Sequence, residues 1–307
     1  MATNSTMKKI SQILPAPPKH WVGDGFNVFP VFEDKAFTKS VSPFLMFDYA
    51  APKEFPPNTG KPKGVGQHPH RGFETVTIAF QGEVEHADSL GNVGVIGSGD
   101  VQWMTAARGI IHQEFHSKSW GAKGGTFEMA QIWVNLKKEH KMIPPRYQPI
   151  SVNDITTSPL YKYHEDKECE KAPLEAGSVR IIAGEFAGVK GPATTFSQVD
   201  MWDVTINDTE SLFEFDTVKG NNVIVFCRRG QFEIQGRSVD PQGVAIMDLG
   251  SDATKLVLKA TKPNTSILLL AGEVIDEPIA AQGPFVMNSR QEIQQANVDF
   301  RSGNFGQ

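Results

Sequence analysis

The sequence has little cysteine and no long hydrophobic run. Its 307 residues include only Cys169 and Cys227, which are not spaced as a paired motif. With so few thiols, neither a disulfide framework nor a zinc–thiolate cluster is expected, and a reducing compartment fits. No apolar stretch approaches the roughly 18 residues of a membrane helix, and residues 1–18 lack the apolar core of a secretory signal. We therefore expect a cytoplasmic protein without a membrane partner, with a nuclear location as an alternative if the source is eukaryotic.

An excess of positive charge is also lacking. The chain carries 30 Lys and Arg against 35 Asp and Glu, a formal net charge of −5. Domains that bind nucleic acid through its phosphate groups are usually basic. Direct nucleic-acid binding is therefore disfavoured, and the length is sufficient for two domains with substantial cores.

Helical periodicity is scarce, whereas short apolar runs are frequent. The 28 Gly and 20 Pro separate runs such as residues 75–80, 130–136 and 222–226. This pattern is typical of an all-β fold. The best helical segment follows Ser289, which with Glu292 is spaced as a capping box near the C-terminus.

A weak internal repeat suggests two related domains. Residues 76–85 and 223–233 both read as an apolar strand, a glycine turn and an alternating strand that contains glutamate. A duplicated β-barrel produces such a repeat. We expect an N-terminal domain of residues 1–160, a polar linker of residues 161–173 and a C-terminal domain of residues 174–307.

Histidine is unevenly distributed between these domains. All eight histidines lie between His20 and His164, so the predicted C-terminal domain, residues 174–307, has none. The C-terminal domain therefore cannot repeat a histidine metal site. We expect it to be metal-free and to act as a scaffold or an interaction surface.

Two short pairs of side chains in the N-terminal domain suggest a metal site. His68 and His70 form one pair, and His112 and Glu114 form the other. In a β-strand, side chains at i and i+2 point to the same face, so each pair can direct two ligands at one point. Three imidazoles and a carboxylate suit a divalent transition metal. Iron(II) fits this mixed set with open coordination positions, and another divalent transition metal remains an alternative.

Other polar residues near these pairs have more than one interpretation. His116 shares the parity of His112 and is either a fifth ligand or, as we prefer, a pocket residue. Glu74 either orients a ligand imidazole or pairs with Arg71. We interpret His86 as a solvated strand residue.

Several segments together resemble the pirin family of the cupin superfamily. They are scattered over most of the chain, and their combination is more specific than any one of them. The matching segments are residues 68–77 (HPHRGFETVT), 99–106 (GDVQWMTA), 109–114 (GIIHQE), 131–136 (QIWVNL), 144–148 (PPRYQ) and 283–288 (GPFVMN).

The resemblance implies a bicupin, with two cupin-type β-barrels and mononuclear iron in the N-terminal one. It assigns the ligand roles to His68, His70, His112 and Glu114, as the spacing does, and it does not include His116. Members of this family include quercetin 2,3-dioxygenases and, in animals, a nuclear redox-sensitive transcription coregulator.

Two functions follow as hypotheses. In the first, the protein cleaves a flavonol or another small aromatic substrate with dioxygen, and Glu114 serves as the catalytic base. The pocket would then be lined by Phe73, Trp103, Met104 and His116, although the first three are as readily explained as core residues. In the second, the protein is a non-enzymatic, redox-sensitive iron-binding coregulator or interaction protein, in which the iron oxidation state alters a surface that binds a protein partner. A structural cupin with an incidental metal is a third interpretation.

Overall fold

The chain divides into two compact units, each assembled from segments that are not contiguous in sequence. The computed structural model describes residues 7–165, 168–250 and 252–306. The N-terminal unit contains Pro18–Phe37, Pro43–Val152 and the chain from Ile275 onward. The C-terminal unit contains the chain up to Pro17, Thr38–Ser42 and Asn153–Val274.

Strands dominate both units. In chain order the first of them are β1 (Ile10–Leu14), β2 (His20–Val22), β3 (Phe26–Pro30), β4 (Phe44–Phe55), β5 (Gly64–His70), β6 (Phe73–Gln81), β7 (Val84–Asp88), β8 (Val93–Ile96), β9 (Val101–Thr105), β10 (Ile110–His116), β11 (Gly125–Asn135), β12 (Arg146–Ile150), β13 (Thr157–Pro159) and β14 (Tyr161–Lys162).

The remaining strands complete the C-terminal unit and return to the N-terminal unit. They are β15 (Glu170–Lys171), β16 (Gly177–Ala183), β17 (Glu185–Phe186), β18 (Val189–Lys190), β19 (Val199–Ile206), β20 (Phe213–Asp216), β21 (Asn222–Arg229), β22 (Phe232–Ile234), β23 (Arg237–Val239), β24 (Val244–Met247), β25 (Lys255–Ala260), β26 (Thr265–Gly272), β27 (Ala280–Gln282) and β28 (Phe285–Met287). The helices are α1 (Lys118–Lys123) and α2 (Arg290–Ser302), with single 3₁₀ turns at Glu33–Lys35, Lys138–His140 and Val152–Asp154.

Two antiparallel sheets enclose the core of the N-terminal unit. A seven-stranded sheet has the order β12-β9-β6-β11-β4-β3-β2, and a four-stranded sheet has the order β5-β10-β7-β8. Apolar residues from both sheets, among them Phe26, Ala79, Val84 and Phe127, form one buried cluster. The expected all-β class is confirmed, because alternating apolar residues on each sheet are buried against the other.

The C-terminal unit repeats this arrangement. Its sheets have the orders β1-β24-β21-β26-β19-β16-β13 and β15-β14-β20-β25-β22-β23. Its core again draws on both sheets, with Val225 and Leu269 from the first and Phe215 and Leu258 from the second. Two such β units with a short C-terminal helix agree with the architecture expected from the sequence.

The unit boundaries differ from the predicted domain ranges of residues 1–160 and 174–307. Strand β1 pairs with β24, so the start of the chain joins the C-terminal unit. The chain from Ile275 onward joins the N-terminal unit, and the change between units comes at Val152 and Asn153. Part of the predicted linker, residues 161–173, forms β14 and β15, while residues 166 and 167 lie outside the described residues. Pairing between strands so distant in sequence does not alter local composition, so composition alone could not predict these boundaries.

The C-terminal helix begins as the capping box predicts. Ser289 Oγ accepts a hydrogen bond from the Glu292 backbone N–H at 3.3 Å, and the Glu292 carboxylate accepts one from the Asn288 N–H at 2.9 Å. The helix ends at Gly303, whose φ of +78° is the left-handed conformation that glycine adopts without strain. No helix of the described residues is long and apolar enough to cross a membrane.

Arg71 connects this helix to the strand that carries His70. Its Nη1 lies 2.7 Å from Asp299 Oδ2 in α2, and its Nε donates to the Arg108 carbonyl oxygen at 2.6 Å. The Val286 N–H also donates to the Arg71 carbonyl oxygen at 3.0 Å. The returning C-terminal segment therefore stabilises the end of β5, where candidate ligands lie.

Candidate metal centre

Antiparallel pairing of β5 with β10 brings His112 beside His68 and His70, whereas Glu114 groups with His112 and His86. His112 stands directly opposite His68, and His70 stands opposite Ile110. Burial alternates along β10, so Ile110, His112, Glu114 and His116 all face the interior. The register shifts between His112 and Glu114, which is a local bulge in the ladder.

The imidazoles of His68, His70 and His112 form a compact group. Their potential ligand atoms all lie within 4.8 Å of one another. The ring centroids are 4.3 Å apart for His68 and His112, 4.9 Å for His70 and His112 and 4.8 Å for His68 and His70. Glu114 and His112 belong to a second group, with His86, that meets the same distance limit. His112 is therefore common to both groups.

Several nitrogen atoms in this group lack hydrogen-bond partners. Neither ring nitrogen of His112 has one within the described residues, and neither does Nδ1 of His70. Both side chains are buried, and a buried polar atom without a partner is costly unless something else satisfies it. His68 differs, because its Nδ1 donates to the Gly66 carbonyl oxygen at 2.8 Å, which leaves Nε2 available. These unsatisfied nitrogens fit a bound divalent metal.

Burial keeps the imidazoles in the neutral form that binds metals. Desolvation lowers the pKa of His70 to about 3 and, as the largest cause, holds the pKa of His112 well below its ordinary value. It also lowers the pKa of His68, although a hydrogen bond to Gly66 opposes the shift. Since a metal competes with protons for the same lone pairs, neutral rings are ready to bind at neutral pH.

The carboxylate of Glu114 is held by two neighbouring side chains. Gln102 Nε2 donates to Glu114 Oε1 at 2.6 Å, and Thr77 Oγ1 donates to the same atom at 3.0 Å. Tyr147 Oη in turn donates to Gln102 Oε1 at 3.2 Å. Burial raises the pKa of Glu114 to about 7, while the hydrogen bonds from Thr77 and Gln102 oppose that shift. Such partners fix the orientation of a ligand carboxylate.

A cavity of about 260 Å³ adjoins these side chains. Its wall is mostly apolar, as is usual for sites that bind small organic molecules. The candidate ligands His68, His70 and Glu114 lie in this wall. The other lining residues are Val22, Phe26, Val28, Met46, Asp48, Val65, Met129, Gln131, Trp133, Gly283 and Pro284.

Phe73, Trp103 and Met104 do not lie in this wall, which corrects their predicted role as pocket residues. All three are fully buried. The Phe73 ring packs against His70 at 5.1 Å and against Trp133 at 4.3 Å. Trp103 and Met104 belong to β9, which is covered on both edges by β6 and β12. They are core residues because both faces of β9 are buried.

His116 also lies outside the cavity wall described above, although it is on the same strand as His112. Its Nε2 donates to the Gly25 carbonyl oxygen at 3.0 Å. Its ring packs edge-on against Phe55 at 4.8 Å and beside Phe127 at 4.5 Å. It lines a separate cavity with Phe55 and Trp120, so the prediction that it shares the substrate pocket is corrected.

Glu74 takes neither of the roles expected for it. It is buried and accepts a hydrogen bond from Thr105 Oγ1 at 2.7 Å, whereas Arg71 pairs with Asp299. The reason is Gly72, whose φ of +90° turns the chain between β5 and β6 and ends the shared parity of His70 and Glu74. Burial raises the pKa of Glu74 to about 7, against weaker opposing effects of Thr105, Trp103 and Arg146.

Replacing Glu74 with glutamine should change how the free energy of unfolding depends on pH. Because the folded-state pKa of about 7 exceeds the ordinary 4.5, the folded protein holds a proton that the unfolded chain releases between these pH values. The wild-type free energy of unfolding, relative to the variant, should therefore fall as pH rises from 5 to 8, by up to about 3 kcal/mol. Urea unfolding of both proteins at the two pH values measures this. A difference that does not change with pH would contradict the assignment.

The structure corrects the interpretation of His86 as a solvated strand residue. It is completely buried, and its Nε2 lies 3.1 Å from Asp88 Oδ2. Its ring stacks on Tyr147 with centroids 4.7 Å apart. It stands opposite Glu114 where β7 pairs with β10. The i, i+2 spacing of His86 and Asp88 is the sequence signal that could have indicated an inward-facing pair.

Several known proteins are similar to this chain over most of its length. The sequence model of the Pirin family matches residues 25–134, and that of the pirin C-terminal cupin domain matches residues 201–306. A Pseudomonas aeruginosa protein, provisionally named a quercetin 2,3-dioxygenase, is 46% identical over 97% of this chain and 99% of its own length. Human pirin is 33% identical over 87% of this chain and 84% of its own length. The crystal structure of a quercetin 2,3-dioxygenase from Acinetobacter baumannii is 42% identical, with a TM-score of 0.88 over 98% of this chain and 99% of that one.

Proposed function

This chain belongs to the pirin family, with two cupin domains, and we propose that it is a metal-dependent dioxygenase that cleaves quercetin or a related flavonol. One observation carries the proposal. The potential ligand atoms of His68, His70 and His112 lie within 4.8 Å of one another, and that of Glu114 lies as close to His112. His68, His70 and Glu114 also line a mostly apolar cavity. The names of the Pseudomonas and Acinetobacter relatives support the choice of substrate.

The proposed metal ligands are His68, His70, His112 and Glu114. Three neutral nitrogens and one carboxylate oxygen suit iron(II), and they leave coordination positions open. Another divalent transition metal is the alternative, because the affinity order of such ligands does not favour iron. When bound, the metal would supply Lewis acidity and electron exchange for the reaction between the flavonol and dioxygen.

The cavity wall offers suitable contacts for a flat, hydroxylated aromatic molecule. Trp133 and Met46 provide apolar surface, and Asp48 and Gln131 are polar side chains in the same wall. Burial raises the pKa of Asp48 to about 6. At neutral pH this carboxylate is therefore ionised and can accept hydrogen bonds from phenolic hydroxyl groups.

Glu114 is the proposed base. Without a metal, burial raises the pKa of Glu114 to about 7, and a bound divalent cation would lower it and favour the ionised form that can accept a proton. Gln102 and Thr77 both hold Oε1, so the carboxylate is oriented before substrate binds. In this role Glu114 accepts the proton of the flavonol hydroxyl group, and the cavity restricts the access of water to the resulting anion.

Oxygen uptake tests the proposal. Protein loaded anaerobically with iron(II) is mixed with quercetin and oxygenated buffer, and chelated protein serves as the control. We expect quercetin loss and oxygen uptake at equal rates, both dependent on the metal. If iron is shown to be bound and neither occurs, the dioxygenase proposal is wrong for this substrate.

A second candidate function is a redox-sensitive interaction protein. Strand β8 is the edge of the sheet that carries the candidate ligands, and its Val93 and Val95 are 75% and 51% exposed. An apolar edge strand can add a strand from a protein partner. Partner affinity that is the same for iron(II), iron(III) and metal-free protein would exclude this role.

A further inference from the structure

A fourth imidazole, that of His86, lies beside the candidate metal centre. Where β7 pairs with β10, His86 stands opposite Glu114, and Asp88 stands opposite His112. The potential ligand atoms of His86, His112 and Glu114 all lie within 4.8 Å of one another. His112 is thus close enough to share an ion with His86 and Glu114 as well as with His68 and His70.

The two nitrogens of His86 have different environments. Nε2 lies 3.1 Å from Asp88 Oδ2, to which it donates its proton. Nδ1 is buried and has no hydrogen-bond partner within the described residues. A histidine that binds a metal has this arrangement, in which one nitrogen donates to a carboxylate and the other offers its lone pair.

The surroundings hold the His86 ring in place. Asp88 accepts three further hydrogen bonds, from Leu90 N at 2.9 Å, Asn92 N at 3.0 Å and Asn92 Nδ2 at 2.8 Å. On the other side, Tyr147 stacks on the ring with an angle of 19° between the two planes. The imidazole is therefore oriented before any ion binds, which reduces the entropic cost of binding.

We propose that His86 is a metal ligand, and that His86, His112 and Glu114 form an inner triad that holds a divalent ion without His68 and His70. Two imidazoles and a carboxylate are a ligand set that transition metals accept. The inference rests on the metal site of the proposed function, but it requires no dioxygenase activity. The inner triad would retain the ion when His68, the ligand that is only half-buried, releases it.

Cobalt(II) binding to a His68→Ala/His70→Ala variant tests the inner triad. Of the four ligands named under the proposed function, this variant keeps only His112 and Glu114. Tight binding of one cobalt ion therefore requires a third ligand. We expect one ion to bind, with a visible spectrum that differs from that of the wild type. Adding His86→Phe should weaken binding by more than about 100-fold, which exceeds the loss usual for a residue that only positions a ligand.

The phenylalanine and its control are chosen to preserve folding. Phenylalanine keeps the stacking on Tyr147, and Asp88 keeps its three other donors. His116→Phe in the same double variant is the matched control, since His116 is another buried histidine outside both ligand groups. A folded double variant that binds no cobalt, or binding that His86→Phe and His116→Phe reduce equally, would overturn the proposal.

If the double variant does not fold, His68→Ala alone provides the test. His86→Phe is then measured in the wild-type and His68→Ala backgrounds as a double-mutant cycle. An inner ligand predicts a larger loss of cobalt affinity in the His68→Ala background. An equal loss in both backgrounds would mean that His86 only positions its neighbours. Since no quercetin is used, failure of the dioxygenase proposal would be seen separately.

Discussion

Replacing His112 with alanine is expected to abolish metal binding and, with it, the oxidation of quercetin. His112 belongs to both groups of potential ligands, and both of its ring nitrogens lack partners within the described residues. Its removal therefore weakens both the group with His68 and His70 and the inner triad with His86 and Glu114. We expect metal affinity to fall by more than about 100-fold, beyond the loss caused by residues that only support a ligand. Metal analysis after desalting and oxygen uptake measure the two effects.

His116→Ala is the matched control for this experiment. His116 is buried on the same face of the same strand, but it contacts Phe55, Phe127 and Gly25 rather than the ligand groups. This variant should lose stability and keep its metal. Circular dichroism of the metal-free proteins separates unfolding from loss of ligands. A folded His112→Ala protein that retains stoichiometric iron and full activity would refute the assignment of His112.

Replacing Met46 with tryptophan should block quercetin oxidation while leaving the metal in place. Met46 lines the cavity beside the ligands and stands opposite Trp133 in the neighbouring strand. It is only half-buried, so a larger ring can enter the cavity at a smaller packing cost than in the closed core. We expect kcat/KM for quercetin to fall by at least about 100-fold, a barrier increase of about 3 kcal/mol. Iron content should equal that of the wild type.

Met142→Trp controls for the substitution itself. Met142 is 55% exposed and does not line the cavity, so this variant should oxidise quercetin at the wild-type rate. Both variants retain all proposed metal ligands. A difference in their rates of quercetin oxidation therefore reports on the cavity and not on loss of the metal. If Met46→Trp oxidises quercetin normally, the flavonol does not bind in this cavity.

The candidate ligands could be found from sequence because their signal is local. The i, i+2 spacing of His68 with His70, and of His112 with Glu114, follows from the alternation of side chains along a strand. The capping box at Ser289 and Glu292 is local in the same sense, and it begins the helix as expected. The resemblance to pirins points to the same residues and extends along most of the chain.

The pocket residues could not be found in this way. Trp103 and Met104 lie in a conspicuous motif, but both faces of β9 are buried, so they are core residues. Met46 and Asp48, which do line the cavity, lie in a strand with no distinguishing sequence signal. Which strand covers another depends on pairings between segments far apart in sequence, and hydrophobic alternation does not encode them.

The sequence by itself determined the all-β class, the C-terminal helix and the pairs of side chains that could bind a metal. Only the tertiary structure decided that β7 lies beside β10, which places His86 next to Glu114. It also decided that the end of the chain returns to Gly72, where a Cβ atom would lie 2.0 Å from the Val286 carbonyl oxygen. The physical reason is the sequence separation of the interacting residues. Side-chain alternation, helix caps and turns depend on near neighbours in the chain, whereas the order of strands in a sheet depends on the burial of whole surfaces.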